Sequence, residues 1–255
     1  MVVSYKNKFI FMHCRKTGGS SITCFLNRYL GQRDIQIGVW GDTIKNGGNY
    51  NIRVILDILH PRCSLNISSW GRLVKELYRG KKDMNKIIGR IQKVRYGFFE
   101  NPPHPTAIEV KRYFNNEWDN FYKFCFVRNP YEKAVSDYIY RVESRGKNVS
   151  FSQFLERIAK PEVVDPENVV PNRPVNWPMY TINDNIAVDF IGRYEKLEDH
   201  LSHICKNIDI KYDTKLLPVS KRKKDYNYRE YYSDKEKELV DYIYEREINE
   251  FNYSF

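Results

Sequence analysis

The sequence predicts an α/β protein in which helices flank a central, mostly parallel sheet. Three observations lead to that class. Phe9-Ile10-Phe11-Met12 and Phe124-Cys125-Phe126-Val127 are short and wholly apolar, the composition of strands buried on both faces. Each run passes through a few turn-forming residues into a segment with helical character. Asp189 to Tyr194 reads as a third strand, again with a helix following. At 255 residues the chain can bury one substantial core. No repeat or domain boundary interrupts it, so residues 1–255 are expected to form one domain.

The elements follow in order. Ile22, Phe25, Leu26, Tyr29 and Leu30 make the i, i+3, i+4, i+7, i+8 stripe of a helix lying on a sheet, expected from Ser20 to Leu30 and closed by Gly31. Asp34 to Tyr50 is rich in Gly and Asn and reads as loop or weak strand. Leu73 to Val94 is basic and predicted helical, interrupted by Gly80 and Gly89. Asn101-Pro102-Pro103-His104-Pro105 is forced into an extended segment, after which Thr106 caps a helix through about Phe114. After Val127, Asn129 serves as N-cap, Pro130 fits the first helical position, and Glu132 falls where a capping box wants an acid. Pro161, Pro166, Pro171, Pro174 and Pro178 crowd a long connection that reads as a functional cover. Ser233 and Glu236 form a capping box for the last helix, whose apolar face is Leu239, Val240, Ile243, Tyr244, Ile248 and Phe251.

The most informative stretch is Lys16-Thr17-Gly18-Gly19-Ser20-Ser21, between the first apolar run and its helix. Glycines permit close backbone approach, and the N–H groups opening a helix point at an anion with the helix dipole behind them. Lys16 adds a mobile full charge. The order is not that of a Walker A loop, which places its lysine after the glycines. Arg128 lies at the carboxyl end of the second apolar run, where open α/β sheets bind ligands. Ser136 is about two helical turns beyond the cap and on its face. Together Arg128 and Ser136 can grip one phosphate. These features predict a P-loop-like, three-layer fold handling a phosphate or sulfate donor.

A formal net charge of +10 favours anionic ligands such as a nucleotide, an acidic glycan or nucleic acid. Aromatic residues make up 15% of the chain, and most of its 20 tyrosines are expected in the core and its rim. Cys14, Cys24, Cys63, Cys125 and Cys205 are odd in number and lack a C-x-x-C pair, so neither a disulfide framework nor zinc-ligand spacing is expected. Met1 to Lys8 is too short and polar for a secretory signal, and no run approaches the ~18 apolar residues of a membrane helix.

HCRKTGGSSI resembles the 5′-phosphosulfate loop of sulfotransferases that use 3′-phosphoadenosine 5′-phosphosulfate (PAPS), and FCFVRNPYEKAVSDY resembles their 3′-phosphate motif. The similarity is greatest to the carbohydrate branch, with Golgi and bacterial members. It continues through HPTAIEVKRYFNNEWDNFYKF, DFIGRYEKLEDHL, LPVSKRKKDYNYREYYSDKEKELV and INEFNYSF, and is poorest from about Ile35 to Phe99. The resemblance implies sulfuryl transfer from PAPS to a hydroxyl acceptor, a glycan or glycoconjugate and not nucleic acid, with PAP as product. It assigns the donor to Arg15, Lys16, Thr17, Gly18, Gly19, Ser20, Ser21, Arg128 and Ser136, with the Thr17, Ser20 and Ser21 hydroxyls assisting. Lys16 is the candidate cation beside the leaving oxygen, and no metal is required because Lys and Arg supply the positive charge.

The attacking hydroxyl must lose a proton, and histidine is the usual base near neutral pH. His104 occupies the place where related enzymes have a histidine upstream of the 3′-phosphate strand. The residue before it, often lysine in the family, is Pro103 here, which leaves the base open between His104 and the weaker candidate His60. His13 is expected to play a structural role under the loop, and His200 and His203 to be solvated or packed. One of Lys221, Arg222, Lys223 and Lys224 is a candidate for touching the donor. Arg141, Arg145, Lys147 and Arg173 are candidates for attracting an acidic sugar, and Trp177 and Tyr180 for stacking on a ring. Family members in the Golgi carry an N-terminal anchor; this chain reaches a core strand by Phe9, so it is expected to be soluble and cytoplasmic, or a catalytic fragment. Two other readings stay open: a nucleoside-triphosphate-dependent kinase on a related fold, and a non-catalytic module that binds polyanions.

Overall fold

A computed structural model describes residues 1–64, 84–218 and 227–255. The central sheet has five strands: β1 (Val2–Ser4), β2 (Phe9–Met12), β3 (Ile35–Gln36), β4 (Tyr122–Val127) and β7 (Phe190–Arg193), in the order β3-β1-β2-β4-β7. β2, β4 and β7 are parallel, with Met12 opposite Cys125 and Val127 opposite Arg193. β1 is antiparallel to both β2 and β3, so it alone runs against the other four. A short separate hairpin, β5 (Thr181–Ile182) and β6 (Asn185–Ile186), turns through Asn183 and Asp184, both at positive φ.

The alternation of side chains explains why the strands read as continuously apolar. Phe9, Phe11, Phe124 and Phe126 face one side and pack with α1 (Gly19–Asn27) and the α10 helix (Leu197–Asn207) through Ile22, Phe25, Leu26, Leu201 and Ile204. Ile10, Met12, Cys125 and Val127 face the other side, against Ala107 and Val110 of α6 (Ala107–Tyr113) and Phe251 of α11 (Asp234–Phe251). Both faces are therefore dry, as a parallel sheet demands. A second apolar cluster joins α8 (Pro130–Arg141), α9 (Phe151–Ala159) and α11 through residues such as Val135, Phe154 and Val240.

Several boundaries depart from the sequence reading. The opening segment is not merely short and polar: Met1 to Ser4 is fully buried and makes β1. Residues 34–50 contain β3 and a short helix, α2 (Trp40–Lys45), because Trp40 is buried against Val54 and Ile88. The basic helix is described as α5 (Met84–Arg95) and passes through Gly89, where no atom of the described residues lies within 4 Å of an added Cβ. The rest of that predicted helix lies outside the described residues. Asn101 to His104 is a turn closed by His104 N–H to Asn101 O at 2.8 Å, rather than an extended run. Thr106 caps its helix and the Ser233–Glu236 capping box forms, both as read; Glu109 completes a capping box at Thr106 as well. All five cysteines are buried free thiols. Among the described residues no helix is long and apolar enough to cross a membrane.

Candidate active site

The site is built where β2 and β4 end side by side. Beyond Met12 the chain turns through Lys16, at φ 61°, and Gly18, at φ 79°, into α1. Gly18 is the N-cap and no side chain caps the helix, whose first turn also lacks an acid. The opening N–H groups of α1 thus keep the electropositive character that attracts an oxyanion. His13 lies beneath: an added Cβ on Gly19 would stand 2.0 Å from its ring. The glycine therefore admits the buried histidine as well as any ligand, the structural role expected of His13. Burial pushes the His13 imidazole well below the usual range, with His104 the next contributor.

Ser20 is exposed and Ser21 half-buried at the helix start. Thr17 is fully buried and its hydroxyl donates to Cys14 O at 3.1 Å. That bond ties the Thr17 side chain into the loop itself. Lys16 places Nζ 4.7 Å from the Tyr140 ring centre, and Arg145 approaches the same ring at 5.2 Å.

Arg128 follows β4 and reaches across to the loop. Its Nη1 donates to Lys16 O at 3.4 Å, its guanidinium lies 4.4 Å from the Tyr194 ring centre, and Glu132 pairs with it at 3.0 Å. The two motifs therefore meet. Glu132 is thereby taken from the capping box expected of it; Asn129 caps Tyr131 N–H, while its own N–H goes to Glu195. Ser136 is half-buried on α8, and among the described residues no hydrogen bond joins it to Arg128.

His104 comes to the same place from the other direction. Its Nδ1 lies 2.7 Å from His13 O, and its ring centre is 4.7 Å from that of His13. A carbonyl only accepts, so Nδ1 carries the proton and Nε2 of the neutral ring carries the lone pair. Burial pulls the imidazole down to about 4, against the His13 carbonyl, which raises it. Arg173 braces this turn by donating to His104 O, Glu109 and Glu100. Burial raises Glu109, but the bonds from Arg173, Thr106 and Glu100 outweigh it and hold the carboxyl at about 2. His60 ends α3 (Ile52–Leu59), where its Nδ1 accepts from Arg62 N–H. His200 Nδ1 accepts from Arg193 N–H, and His203 packs on Phe190.

The expected acceptor residues divide. Arg145 and Lys147 are exposed. Arg141 is occupied with the carbonyls of Val169 and Val170, and Arg173 with the acids just named, so both are structural cations. Tyr180 is fully buried and donates to Glu247, and Trp177 is 8% exposed, so the expectation that these rings stack on a sugar is corrected. Their apolar surface is used by the core. Lys221 to Lys224 lie outside the described residues. Arg15 turns its guanidinium into the interior onto Asp137 at 2.7 Å, while Asn176 binds its backbone. Neither Asp137 nor Asn176 is legible as a site residue from sequence, since nothing local links them to the loop. Among the described residues no group of three His, Cys, Asp or Glu side chains is placed to hold a metal ion.

An uncapped helix N-terminus, a loop lysine and an arginine from the neighbouring parallel strand come together at the carboxyl edge of an α/β sheet, the edge where such sheets bind ligands. The chain belongs to the sulfotransferase family, whose sequence profile matches residues 1–254. Membership carries sulfuryl transfer to a hydroxyl acceptor as the general activity, with PAPS the donor the family generally uses. An uncharacterized protein from Archaeoglobus fulgidus is 34% identical over 97 residues, covering 36% of this chain and 72% of that protein. No solved structure matches the chain.

Proposed function

We propose that the protein transfers the sulfuryl group of PAPS to a carbohydrate hydroxyl by in-line displacement, on a single three-layer, P-loop-like domain. The observation that carries this reading is the meeting of Arg128 with the Lys16 loop, which lets one doubly phosphorylated nucleotide be held at both ends. The residues fit such a donor: backbone N–H groups of Thr17 to Ser20 for the 5′ end, and Arg128 with Ser136 for the 3′-phosphate. Arg15 holds the loop rather than the donor through its side chain.

In the proposed step the acceptor oxygen forms a bond to sulfur as the bond from sulfur to the 5′-phosphate oxygen breaks. The hydroxyl proton passes to His104 Nε2, and Lys16 stabilises the charge left on PAP. Thermal shift measurements test the donor: PAP is expected to stabilise the wild type, while Mg-ATP is not. Arg128→Ala is expected to remove the PAP shift and nearly abolish transfer while leaving the circular dichroism spectrum unchanged. Stabilisation by generic polyanions with no preference for PAP refutes the proposal.

A further inference from the structure

Arg15 is held at three points by two different elements. Its N–H donates to Asn176 Oδ1 at 2.9 Å, and its carbonyl accepts from Asn176 Nδ2 at 3.0 Å. One carboxamide thus satisfies both peptide groups of one residue, as a neighbouring strand would. The guanidinium meanwhile donates to Asp137 Oδ1 at 2.7 Å. Asn176 and Asp137 are each 1% exposed, so water does not compete for these bonds.

The next residue, Lys16, stands at φ 61°, a left-handed conformation that is unfavourable for a residue with a Cβ. Such a conformation persists where its surroundings over-determine it. The grip on Arg15 supplies that restraint immediately before the turn. It is itself firmly based. Asn176 follows Pro174, whose carbonyl accepts from buried Lys133 Nζ at 2.7 Å, and Lys133 precedes Asp137 by one turn of α8. The proline-rich connection and α8 are thereby tied into one support, and the loop rests on it.

We infer that Asn176 and Asp137 are positioning residues that clamp Arg15 and so hold Lys16 in the turn that brings its carbonyl to Arg128 and its ammonium to Tyr140. The inference rests on the proposed donor site for its functional consequence, though not for the clamp itself.

Asn176→Ala tests both. Hydrogen exchange by NMR is expected to quicken at the Arg15 amide by at least about tenfold, while the Phe124 and Phe126 amides of β4 keep their wild-type rates. Calorimetry well below the melting temperature is expected to show PAP binding weakened by about tenfold. An unchanged Arg15 exchange rate overturns the clamp. Faster exchange with unchanged PAP affinity and turnover overturns the positioning role. If wild-type protein fails to bind PAP, the proposed donor fails while the exchange experiment still decides the clamp. Should Asn176→Ala not fold, Asp137→Asn carries the same measurements, because it removes the charge that holds the guanidinium but keeps an acceptor in place.

Discussion

Gly19→Ala is the sharpest probe of the loop. The added methyl would stand 2.0 Å from His13 Cδ2 and 2.2 Å from Nε2, where ordinary contact begins at 3.4 Å. The ring must retreat by more than about 1 Å in a close-packed interior. It has little room: it is 8% exposed, stacked near Phe11 and edge-on to His104. Overpacking of this kind costs about 1–3 kcal/mol. Replacing glycine by alanine in a helix returns up to about 1 kcal/mol, less at the first position than in the interior. The net expectation is a loss of about 1–2 kcal/mol in urea denaturation. The functional loss should be larger in proportion, because His13 O holds His104 Nδ1 and a misplacement of about 1 Å can cost about a hundredfold in rate. Gly89→Ala is the matched control. Among the described residues nothing lies within 4 Å of its added methyl, so it should stabilise the protein by about 0.5–1 kcal/mol with unchanged turnover. A Gly19→Ala protein as stable and active as wild type would refute the account of the loop.

Two further expectations follow. With His104 at about 4 in the free protein, the acid limb of kcat/KM should centre near there, and a limb near 6.5 that disappears in His104→Ala would contradict the burial argument. The folded value lies below the unfolded one, so this group's stabilisation is complete above about 6.5 and is lost as pH falls toward about 4; circular dichroism must confirm folding at each acidic point. Lys133→Met should cost about 3–5 kcal/mol, because burial lowers the Lys133 pKa yet Glu247 and Asp137 depend on its charge. A loss below about 1 kcal/mol in urea denaturation would show that the buried carboxylates do not need it.

The parts of the fold visible in the sequence are those whose signal is local. Phe9–Met12 and Phe124–Val127 are continuous apolar runs, and Thr106–Glu109 and Ser233–Glu236 close on themselves within one turn. The missed elements are short or tertiary. Val2–Ser4 carries too few residues to show a period, and Trp40–Lys45 is helical because Trp40 seats against Val54 and Ile88. Glu132 illustrates the failure best: its position fits a capping box, but Arg128 at 3.0 Å offers a full charge, and a neighbouring element supplies Glu195 to the vacant N–H.

By itself the sequence placed a lysine-bearing loop at the start of one helix and an arginine at the start of another. Spacing of glycine, hydroxyl and capping residues is a property of neighbours along the chain. Only the tertiary structure decided that the two would meet, since that depends on β2 and β4 being adjacent parallel strands. It also decided which cations stay available. Arg15, Arg141 and Arg173 look like Arg145 in the sequence, but oxygen acceptors far away in the chain take their hydrogen bonds.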